Sequence, residues 1–341
     1  MKSRKRKYSL CGMLLIGILL MISGCTGKRL EKETNFQAPS SKDNLTVIGC
    51  SQLGSESVWR TANTNSIKNI FTKENGYFLI FNNARQKKEN QVKALRSFIS
   101  QQVDYIVFSP ITENGWETVL QEAKDAQIPV ILIDRKVNVE DETLYTSWIG
   151  SDFEREGKRA GKVLLDILKE QQRSAEDINI IVLKGTEGAS ATIGRTNGFD
   201  SVVKQHKNWK VLEQQGADFT TAKGKEEMAK IIRRHRKIDV VIAQNDDMMF
   251  GAVEAIKEAG KTTGIDGDII VISFDATKQA LEMVQDGTIN ADVECNPVQG
   301  EYIERIIQKI KNGDKVNKSY FVPEKVFTKD NVEEYLEKRT Y

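Results

Sequence analysis

The sequence has 341 residues, of which 39% are hydrophobic and 29% are charged, and its formal net charge is +2. This length allows two domains with separate hydrophobic cores, and the composition is that of an ordinary globular protein. The nearly balanced charge gives no indication of nucleic acid as a partner.

The N-terminal residues have the pattern of a secretory signal. Basic residues are crowded at positions 2–7, and the uncharged run "YSLCGMLLIGILLMISGC" follows them. A basic region before an apolar region is typical of a signal peptide, although an apolar run of this length is also compatible with a retained membrane anchor. Removing residues 1–24 would take away five basic residues and no acidic ones, leaving 45 basic against 48 acidic residues.

The end of this leader resembles the lipobox of bacterial lipoproteins. "ISGC" places two small residues before Cys25. The resemblance implies that residues 1–24 are removed and that Cys25 becomes a lipidated N-terminus attached to the membrane. Residues 25–44 are polar and lack apolar periodicity, so we expect a flexible tether.

The remaining cysteines and histidines limit the chemistry of the body. Cys50 and Cys295 are two cysteines in a long chain, which is no disulfide framework; we predict buried free thiols, with a single disulfide as the alternative. His206 and His235 have no metal-ligand neighbours in the sequence, so we predict no metal site and no histidine-based catalysis.

From residue 45 the chain alternates short apolar strands with amphipathic helices. In the first half the predicted strands are 44–51, 77–82, 104–110 and 129–134, and the predicted helices are 56–75, 89–102 and 115–127. The alternation of strands and helices starts again near Tyr145, and the predicted strands of the second half are 145–151, 178–185, 209–216, 239–246 and 268–275. Strands that are apolar throughout belong in parallel sheets covered on both faces, so we predict an α/β fold of two doubly wound parallel-sheet lobes.

Polar side chains concentrate where the predicted strands end. They are Ser51, Gln52, Asp134, Arg135, Asn245, Asp246, Asp247 and Asp275. In open α/β sheets, ligands bind in the crevice at the carboxyl ends of the strands, so these groups should face one cleft between the two lobes.

Carboxylate, guanidinium and amide groups together offer hydrogen-bond donors and acceptors, which suits a ligand rich in hydroxyl groups. Trp59 and Phe219 are candidate aromatic platforms for the apolar face of a sugar ring. The alternative is that both aromatics belong to the core and that the charges are solvated loop residues.

Support for an enzyme is weak. The sequence has no G-x-G-x-x-G after its first strand, no G-x-S-x-G and no P-loop. "GTEGASATIG" is better explained as a tight turn than as a phosphate loop. Convergence of Asp134, Asp246 and Asp275 would allow glycoside cleavage, but the sequence gives no distance between these carboxylates. We predict neither a cofactor nor catalysis.

Several motifs, in order along the body, resemble the pentose- and hexose-binding proteins of ABC transporters, the group that includes ribose-binding protein. They are "IDR" (133–135), "GASATIGRTNGF" (188–199), "ADFTTAKG" (217–224), "AQNDDMMFGAVEAIKEAG" (243–260) and "ISFDAT" (272–277). "SQLGSESVWRTAN" and "RQKKENQVKALRSFISQQVD" are most similar to the galactofuranose-binding branch.

The resemblance implies which residues contact the sugar and how the lobes are joined. The implied ligand-binding residues are Gln52, Glu56, Trp59, Arg60, Asp134, Arg135, Arg195, Phe219, Asn245 and Asp275. It also implies three crossings, an N-terminal lobe of 45–149 with 297–325, and a C-terminal lobe of 150–296 with 326–341. A monomer would close around a monosaccharide, by hinge motion of the kind known for periplasmic binding proteins, and dock on a membrane permease.

Two departures from the ribose-binding pattern concern the choice of sugar. Cys295 stands where the ribose branch has a glutamine, and Ser57, Val58 and Trp59 stand where it has paired phenylalanines. If Glu56, Trp59 and Arg60 share one helical face, they could bind the exocyclic diol of a hexose in furanose form. The alternative is that Glu56 and Arg60 form only a surface ion pair.

Four functions fit this fold to different degrees. The leading prediction is an extracytoplasmic, lipid-anchored binding protein of a sugar importer. A sensory receptor that passes a closed shape to a membrane kinase or chemoreceptor is the alternative. A transcription regulator would need an N-terminal DNA-binding motif where this chain has a signal sequence, and an enzyme would need turnover of the sugar.

Overall fold

The computed structural model of the chain describes residues 45–341, and its strands form two six-stranded sheets. The first sheet contains β1 (Thr46–Gln52), β2 (Tyr77–Asn83), β3 (Tyr105–Phe108), β4 (Val130–Ile133), β5 (Ser147–Gly150) and β11 (Ser319–Phe321). The second contains β6 (Ile178–Lys184), β7 (Trp209–Gly216), β8 (Val240–Ala243), β9 (Ile270–Asp275), β10 (Ala291–Glu294) and β12 (Val326–Thr328). We call the two sheets with their helices lobe 1 and lobe 2.

Helices accompany both sheets. In lobe 1 these are α1 (Val58–Ile70), α2 (Lys88–Ser100), α3 (Glu117–Asp125) and α9 (Gly300–Lys311). In lobe 2 these are α4 (Phe153–Glu170), α5 (Ser190–Val203), α6 (Thr221–Arg234), α7 (Asp246–Glu258), α8 (Lys278–Gln285) and α10 (Glu333–Leu336). A short 3-10 turn spans Glu142–Leu144.

The two sheets have equivalent strand orders, β11-β5-β4-β3-β1-β2 and β12-β10-β9-β8-β6-β7. All neighbouring strands are parallel except β12, which runs antiparallel to β10. The predicted fold class, two α/β lobes with parallel sheets, is confirmed.

Alternation within a strand explains why these sheets are apolar throughout. In β4, Val130 and Leu132 pack into one hydrophobic cluster while Ile131 and Ile133 pack into the cluster on the opposite face. Successive side chains of a strand point to opposite faces, so a strand covered on both faces has to be apolar at every position. Burial on both faces therefore holds each sheet between two layers of helices.

The alternation of elements and the family resemblance pointed to different lobes for one strand, since the resemblance implied that residues up to 149 belong to the N-terminal lobe. The restart near Tyr145 put residues 145–151 at the head of the second half, whereas Ser147–Gly150 pairs with β4 in the first sheet. The reason is that the chain crosses between lobes only after this strand, on the way to α4.

Three segments connect the lobes. The chain leaves β5 for α4, returns from β10 to α9, and passes from β11 to β12. Ser151, Cys295 and Glu324 lie on these three segments, one on each. We call them the hinge cluster.

Cys50 and Cys295 are buried free thiols, as predicted. Burial raises the pKa of Cys50 to about 12, so this thiol stays protonated within the core of lobe 1.

The predicted signal peptide (1–24), the lipidation site Cys25 and the tether (25–44) lie outside the described residues. Between residues 45 and 341, no helix combines the length and the apolar character that crossing a bilayer requires.

Candidate functional site

A cavity lies between the lobes at the carboxyl ends of the strands, with about 300 Å³ of empty space including the part that opens to solvent. Its lining residues are Glu56, Ser57, Trp59, Arg60, Asp134, Arg135, Ala191, Arg195, Phe219, Asn245, Asp275 and Cys295. Nine of the ten predicted ligand-binding residues are among them, and Gln52 is the exception. The fold thus brings residues from distant parts of the chain to one cleft.

The lobes touch each other around this cleft. The backbone N–H of Glu113 donates to the carbonyl of Gly188 at 2.9 Å, and the N–H of Lys136 donates to Ser190 Oγ at 2.9 Å. At the other rim, the N–H of Val58 donates to Asp247 Oδ2 at 3.3 Å. These bonds join lobe 1 to lobe 2, so the structure is a closed one.

The lobe 1 wall is built on a buried ion-pair chain. Arg60 Nη2 lies 2.7 Å from Asp134 Oδ2, and Arg60 Nε lies 3.1 Å from Glu56 Oε1. Burial alone would lower the pKa of Arg60, but Asp134 and Glu56 raise it above its ordinary value. Arg60 is therefore a permanent cation held between two carboxylates.

One expectation about this wall is wrong, and one of the alternatives is excluded. Glu56 is not on the helix, because Ser57 is the N-cap and α1 starts at Val58; Ser57 Oγ accepts from the N–H of Arg60. The pair of Glu56 and Arg60 is also not a surface pair, since their side chains are only 7% and 4% exposed. Because the helix begins only after Ser57, Glu56 lies outside it and pairs with the Arg60 guanidinium.

Gln52 lies behind the cavity instead of lining it. Its Oε1 accepts from Arg60 Nη1 at 3.3 Å, and its Nε2 donates to Asn63 Oδ1 at 3.0 Å. Gln52 thereby orients Arg60 from the back, because β1 ends beneath α1.

Asp134 and Arg135 do not pair with each other. Asp134 has a φ of 57° and accepts from Arg60 and from Ser109 Oγ, whereas Arg135 donates through Nη1 to the carbonyl of Ile111 at 2.8 Å. Arg135 Nε is buried without a hydrogen-bond partner among the described residues. Burial, followed by repulsion from Arg60, lowers the pKa of Arg135 to about 10. Arg135 thus keeps a free donor at the cleft.

Trp59 combines the two roles that the sequence left open. It lines the cavity and also packs with the core of lobe 2, with 3% of its surface exposed. Its Nε1 donates to the carbonyl of Cys295 at 2.5 Å, and the Arg60 guanidinium lies 4.6 Å from the ring centroid. An aromatic ring fixed by a hydrogen bond and a cation offers a rigid apolar platform.

Phe219 faces Arg135 from lobe 2, with the guanidinium 5.2 Å from its ring centroid. Its backbone adopts a φ of 59°, and its ring fills the space where a side chain at Gly185 would stand, since a Cβ there would lie 1.9 Å from Phe219 Cζ. Only glycine at position 185 allows the ring to occupy this place.

Asn245 caps α7 and holds the loop of Phe219 as well. Its Oδ1 accepts from the N–H of Met248 at 3.0 Å, and its Nδ2 donates to the carbonyl of Phe219 at 3.3 Å. Much of the hydrogen-bonding capacity of this amide is therefore structural.

The lobe 2 wall carries Arg195 between two carboxyl groups. Arg195 Nε lies 2.6 Å from Glu156 Oε2, and Nη2 lies 3.4 Å from Asp275 Oδ1. Burial raises the pKa of both acids even though Arg195 opposes that effect. Arg195 also donates to the carbonyl of Gln244, which anchors it to the end of β8.

Backbone strain concentrates at this cleft. Ten non-glycine residues of the described chain have a positive φ, and Asp134, Phe219 and Asp275 of the cavity lining are among them. Residues other than glycine adopt this region reluctantly, and such outliers cluster at ligand sites where surrounding contacts hold them.

Glu156 of α4 lies beside the hinge cluster, and together with Cys295 and Glu324 it forms a group of side chains of the types that can ligate a metal. Ligand atoms of Glu156, Cys295 and Glu324 lie within 4.8 Å of one another. These groups have protein partners, because Glu156 pairs with Arg195 while Glu324 Oε1 accepts from Ser151 Oγ and from the N–H of Asn296. Burial, followed by repulsion from Glu156, raises the pKa of Glu324 to about 9. Glu324 therefore carries a proton at neutral pH.

Sequence reasoning missed Ser57, Ala191, Glu156 and Glu324. Ser57 had a usable signal, since a serine directly before the first residue of a helix is a typical N-cap. Glu156 and Glu324 had none, because each acts through residues that are distant in the chain. Cys295 was noted only as a departure and in fact lines the cavity.

The comparisons with known proteins agree with this architecture. The family model of the periplasmic binding protein domain matches residues 48–315. The chain is 40% identical over 297 residues to the galactofuranose-binding protein YtfQ of Escherichia coli K12, covering 86% of this chain and 91% of that protein.

Two solved structures are similar throughout. A Mycobacterium smegmatis protein in complex with β-D-fucofuranose is 41% identical, with a TM-score of 0.81 and coverage of 85% of this chain and 94% of that chain. The binding protein of the arabinose ABC transporter from Shewanella sp. ANA-3, bound to L-arabinofuranose, is 40% identical, with a TM-score of 0.80 and coverage of 86% and 96%. YtfQ and the Shewanella protein are both named as binding proteins. The predicted family is confirmed: the chain belongs to the periplasmic binding proteins.

Proposed function

We propose that this protein binds a monosaccharide outside the cytoplasm and delivers it to an ABC importer. The observation that carries the proposal is the closed cleft between two lobes, lined by aromatic rings and by groups that both donate and accept hydrogen bonds. Relatives at about 40% identity that are named for galactofuranose and arabinose support the substrate class. Hinge closure around the sugar and docking of the closed monomer on a permease complete the proposal.

The preferred ligand is a sugar in furanose form. Glu56 and Arg60 stand beside Trp59 on the lobe 1 wall and offer polar groups beyond those that a ribose ring needs. An exocyclic diol would use these groups, and a ligand without it would leave buried polar groups unpaired. Arg135 Nε, which has no protein partner among residues 45–341, is available for a sugar hydroxyl.

Catalysis is not part of the proposal. Asp134 is held by Arg60, Asp246 by Ser273 and Thr277, and Asp275 by Arg195, so each of these carboxyl groups has a protein partner. Purified protein should bind the sugar and leave it unchanged.

Membrane attachment through a lipid on Cys25 is proposed from "ISGC" at the end of the apolar leader. Replacing Cys25 with Ser should release the protein from the membrane fraction or block removal of the leader. If the Cys25→Ser variant stays membrane-bound with the processed mass, the lipid-anchor proposal is wrong.

The test is a thermal-shift screen followed by calorimetry with galactose, L-arabinose, ribose and glucose. A sugar bound only by the folded protein raises the melting temperature by mass action. Asp134→Ala should lose this shift, while Arg96→Met, which alters an exposed pair with Glu122, should keep it. Failure of every sugar to bind would refute the function. Ribose binding ten times more tightly than galactose would refute only the furanose preference.

A further inference from the structure

The turn after β9 aims Asp275 into the cleft through an unfavourable backbone. Asp275 has a φ of 110° and Ala276 a φ of 56°, and both residues are buried. L-residues adopt these angles only when neighbouring contacts hold them. Arg195, at 3.4 Å, is a long contact and does not by itself determine this backbone.

Asp246, the first residue of α7, holds the far side of the turn. Its Oδ2 accepts from the N–H and the Oγ1 of Thr277, each at 2.8 Å, and its Oδ1 accepts from Ser273 Oγ at 2.6 Å. All these groups are buried, so the bonds are shielded from water.

Asp292, in the middle of β10, holds the centre of the turn. Its Oδ1 accepts from the N–H of Ala276 at 3.1 Å, and the carboxyl group of Asp246 lies close enough for its charge to raise the pKa of Asp292. Asp292 Oδ2 is buried and accepts from no donor among the described residues. Two carboxylates can bond to each other only through a proton, and a buried oxygen that has no donor and lies near a second acid is where that proton belongs.

No lysine or arginine in residues 45–341 forms an ion pair with Asp246 or Asp292, so a proton is the neutralising partner. Burial, followed by repulsion from Asp246, raises the pKa of Asp292 well above its ordinary value. The groups around the pair are Ser273, Thr277 and the acids Asp247 and Asp275, and Arg195 is paired with Glu156 and Asp275.

We propose that Asp292 is a positioning residue of the sugar site: its protonated carboxyl bonds to Asp246 while accepting from Ala276, and this holds Asp275 toward the ligand. The proposal rests on the sugar-binding function proposed above. Asp292 itself does not line the cavity, so it acts through Asp275.

Two substitutions separate this role from a general effect on folding. Asparagine at 292 has an oxygen that can accept from Ala276 and an amide that can donate to Asp246, as the protonated acid does, so D292N should bind the best sugar of the screen within about threefold of the wild type. D292A removes both bonds and should weaken binding about tenfold. If D292A does not fold, D292S replaces it, because serine is too short to make both bonds.

A double-substitution cycle tests whether Asp292 acts through Asp275. If it does, D292A should weaken binding far less in a D275A background than in the wild type. The matched control is N290A, which removes a buried bond from the N–H of Val271 at the start of the same strand and should lower stability while leaving sugar affinity unchanged.

The outcomes are distinguishable. If the wild type binds no sugar, the proposed function fails, whatever Asp292 does. If the wild type binds and D292A binds equally well, or D292N loses as much affinity as D292A, or the losses of D292A and D275A simply add, the positioning role is refuted.

Discussion

The two walls of the cleft neutralise their buried acids in different ways. On the lobe 1 wall, Arg60 lies between Glu56 and Asp134 at 3.1 and 2.7 Å, and its pKa is raised by them. On the lobe 2 wall, a single cation, Arg195, faces a larger group of buried acids whose pKa values are raised. Lobe 1 uses fixed ion pairs, and lobe 2 uses the two ion pairs of a single arginine together with protons.

Because of this difference, the two walls respond differently to substitutions and to changes in pH. A wall of ion pairs keeps its hydrogen-bonding pattern over a wide pH range, but it fails when one partner is removed. A wall that relies on protons changes its pattern as pH rises, because the acids that donate become acids that only accept. Substitutions and pH therefore act differently on the two lobes.

The largest effect is expected from Arg195→Met. The substitution leaves Glu156 and Asp275 buried without their cation, and breaking a buried pair in this way destabilises by about 3–5 kcal/mol. Urea denaturation would measure the free energy of unfolding, with Arg96→Met as the exposed-pair control that should change little. A loss below about 1 kcal/mol would show that the lobe 2 acids need no cation.

Arg135→Met should separate binding from stability. Arg135 is buried with an unpartnered Nε and a lowered pKa, so the folded state gains little from its charge. We expect sugar affinity to fall ten- to hundredfold, about 1.5–3 kcal/mol, while the free energy of unfolding stays equal or rises. Calorimetry and denaturation together check this. Unchanged affinity would place the ligand elsewhere.

Glu324→Gln should reduce the pH dependence of stability. The folded pKa of about 9 lies above the ordinary value of 4.5, so the folded state binds the extra proton between these values. This contribution is complete below pH 4.5 and is lost as pH rises toward 9. Unfolding experiments between pH 5 and 9 should give a shallower decline for the variant, which stays neutral. An identical decline in both proteins would contradict the protonated hinge.

The smallest effect is expected from Asp247→Asn at the rim. Asp247 accepts from the N–H of Val58 across the closed cleft, and burial, followed by repulsion from Asp246, raises its pKa to about 7. In an open, hydrated cleft its pKa would return toward 3.8, so closure takes up a proton and affinity should fall as pH rises from about 4 to 7. Over this range the wild type should lose more affinity than the variant, because the amide of the variant does not titrate. Equal pH profiles by calorimetry would show that closure does not involve Asp247.

Much of the cleft was predictable because parallel strands end at one edge. The strand "VILI" is followed directly by Asp134 and Arg135, and Asn245 and Asp275 likewise stand at the ends of strands. The apolar run of each strand and the loop that follows it are local features, so the sequence indicated these positions without any knowledge of pairing.

The partners of these residues were not predictable in the same way. Asp134 bonds to Arg60, 74 positions away in the chain, instead of to the adjacent Arg135, because its backbone turns at a φ of 57°. Gln52 was placed in the cleft for being at a strand end, but the packing of α1 over β1 turns it toward Asn63. Side-chain direction at a strand end depends on what packs above it.

The sequence by itself determined the two-lobed α/β fold, the edge on which the cleft lies and the residue types that line it, because periodicity and strand ends are local properties. Only the tertiary structure decided which acids pair with arginines and which hold protons. Ser151, Cys295 and Glu324 meet because three distant segments cross between the lobes together. The pKa values of Asp246 and Asp292 are raised because folding buries both acids, and neither has an ion-pair partner among the described residues. Burial and the distance between charges set these protonation states, and neither quantity can be read from the sequence alone.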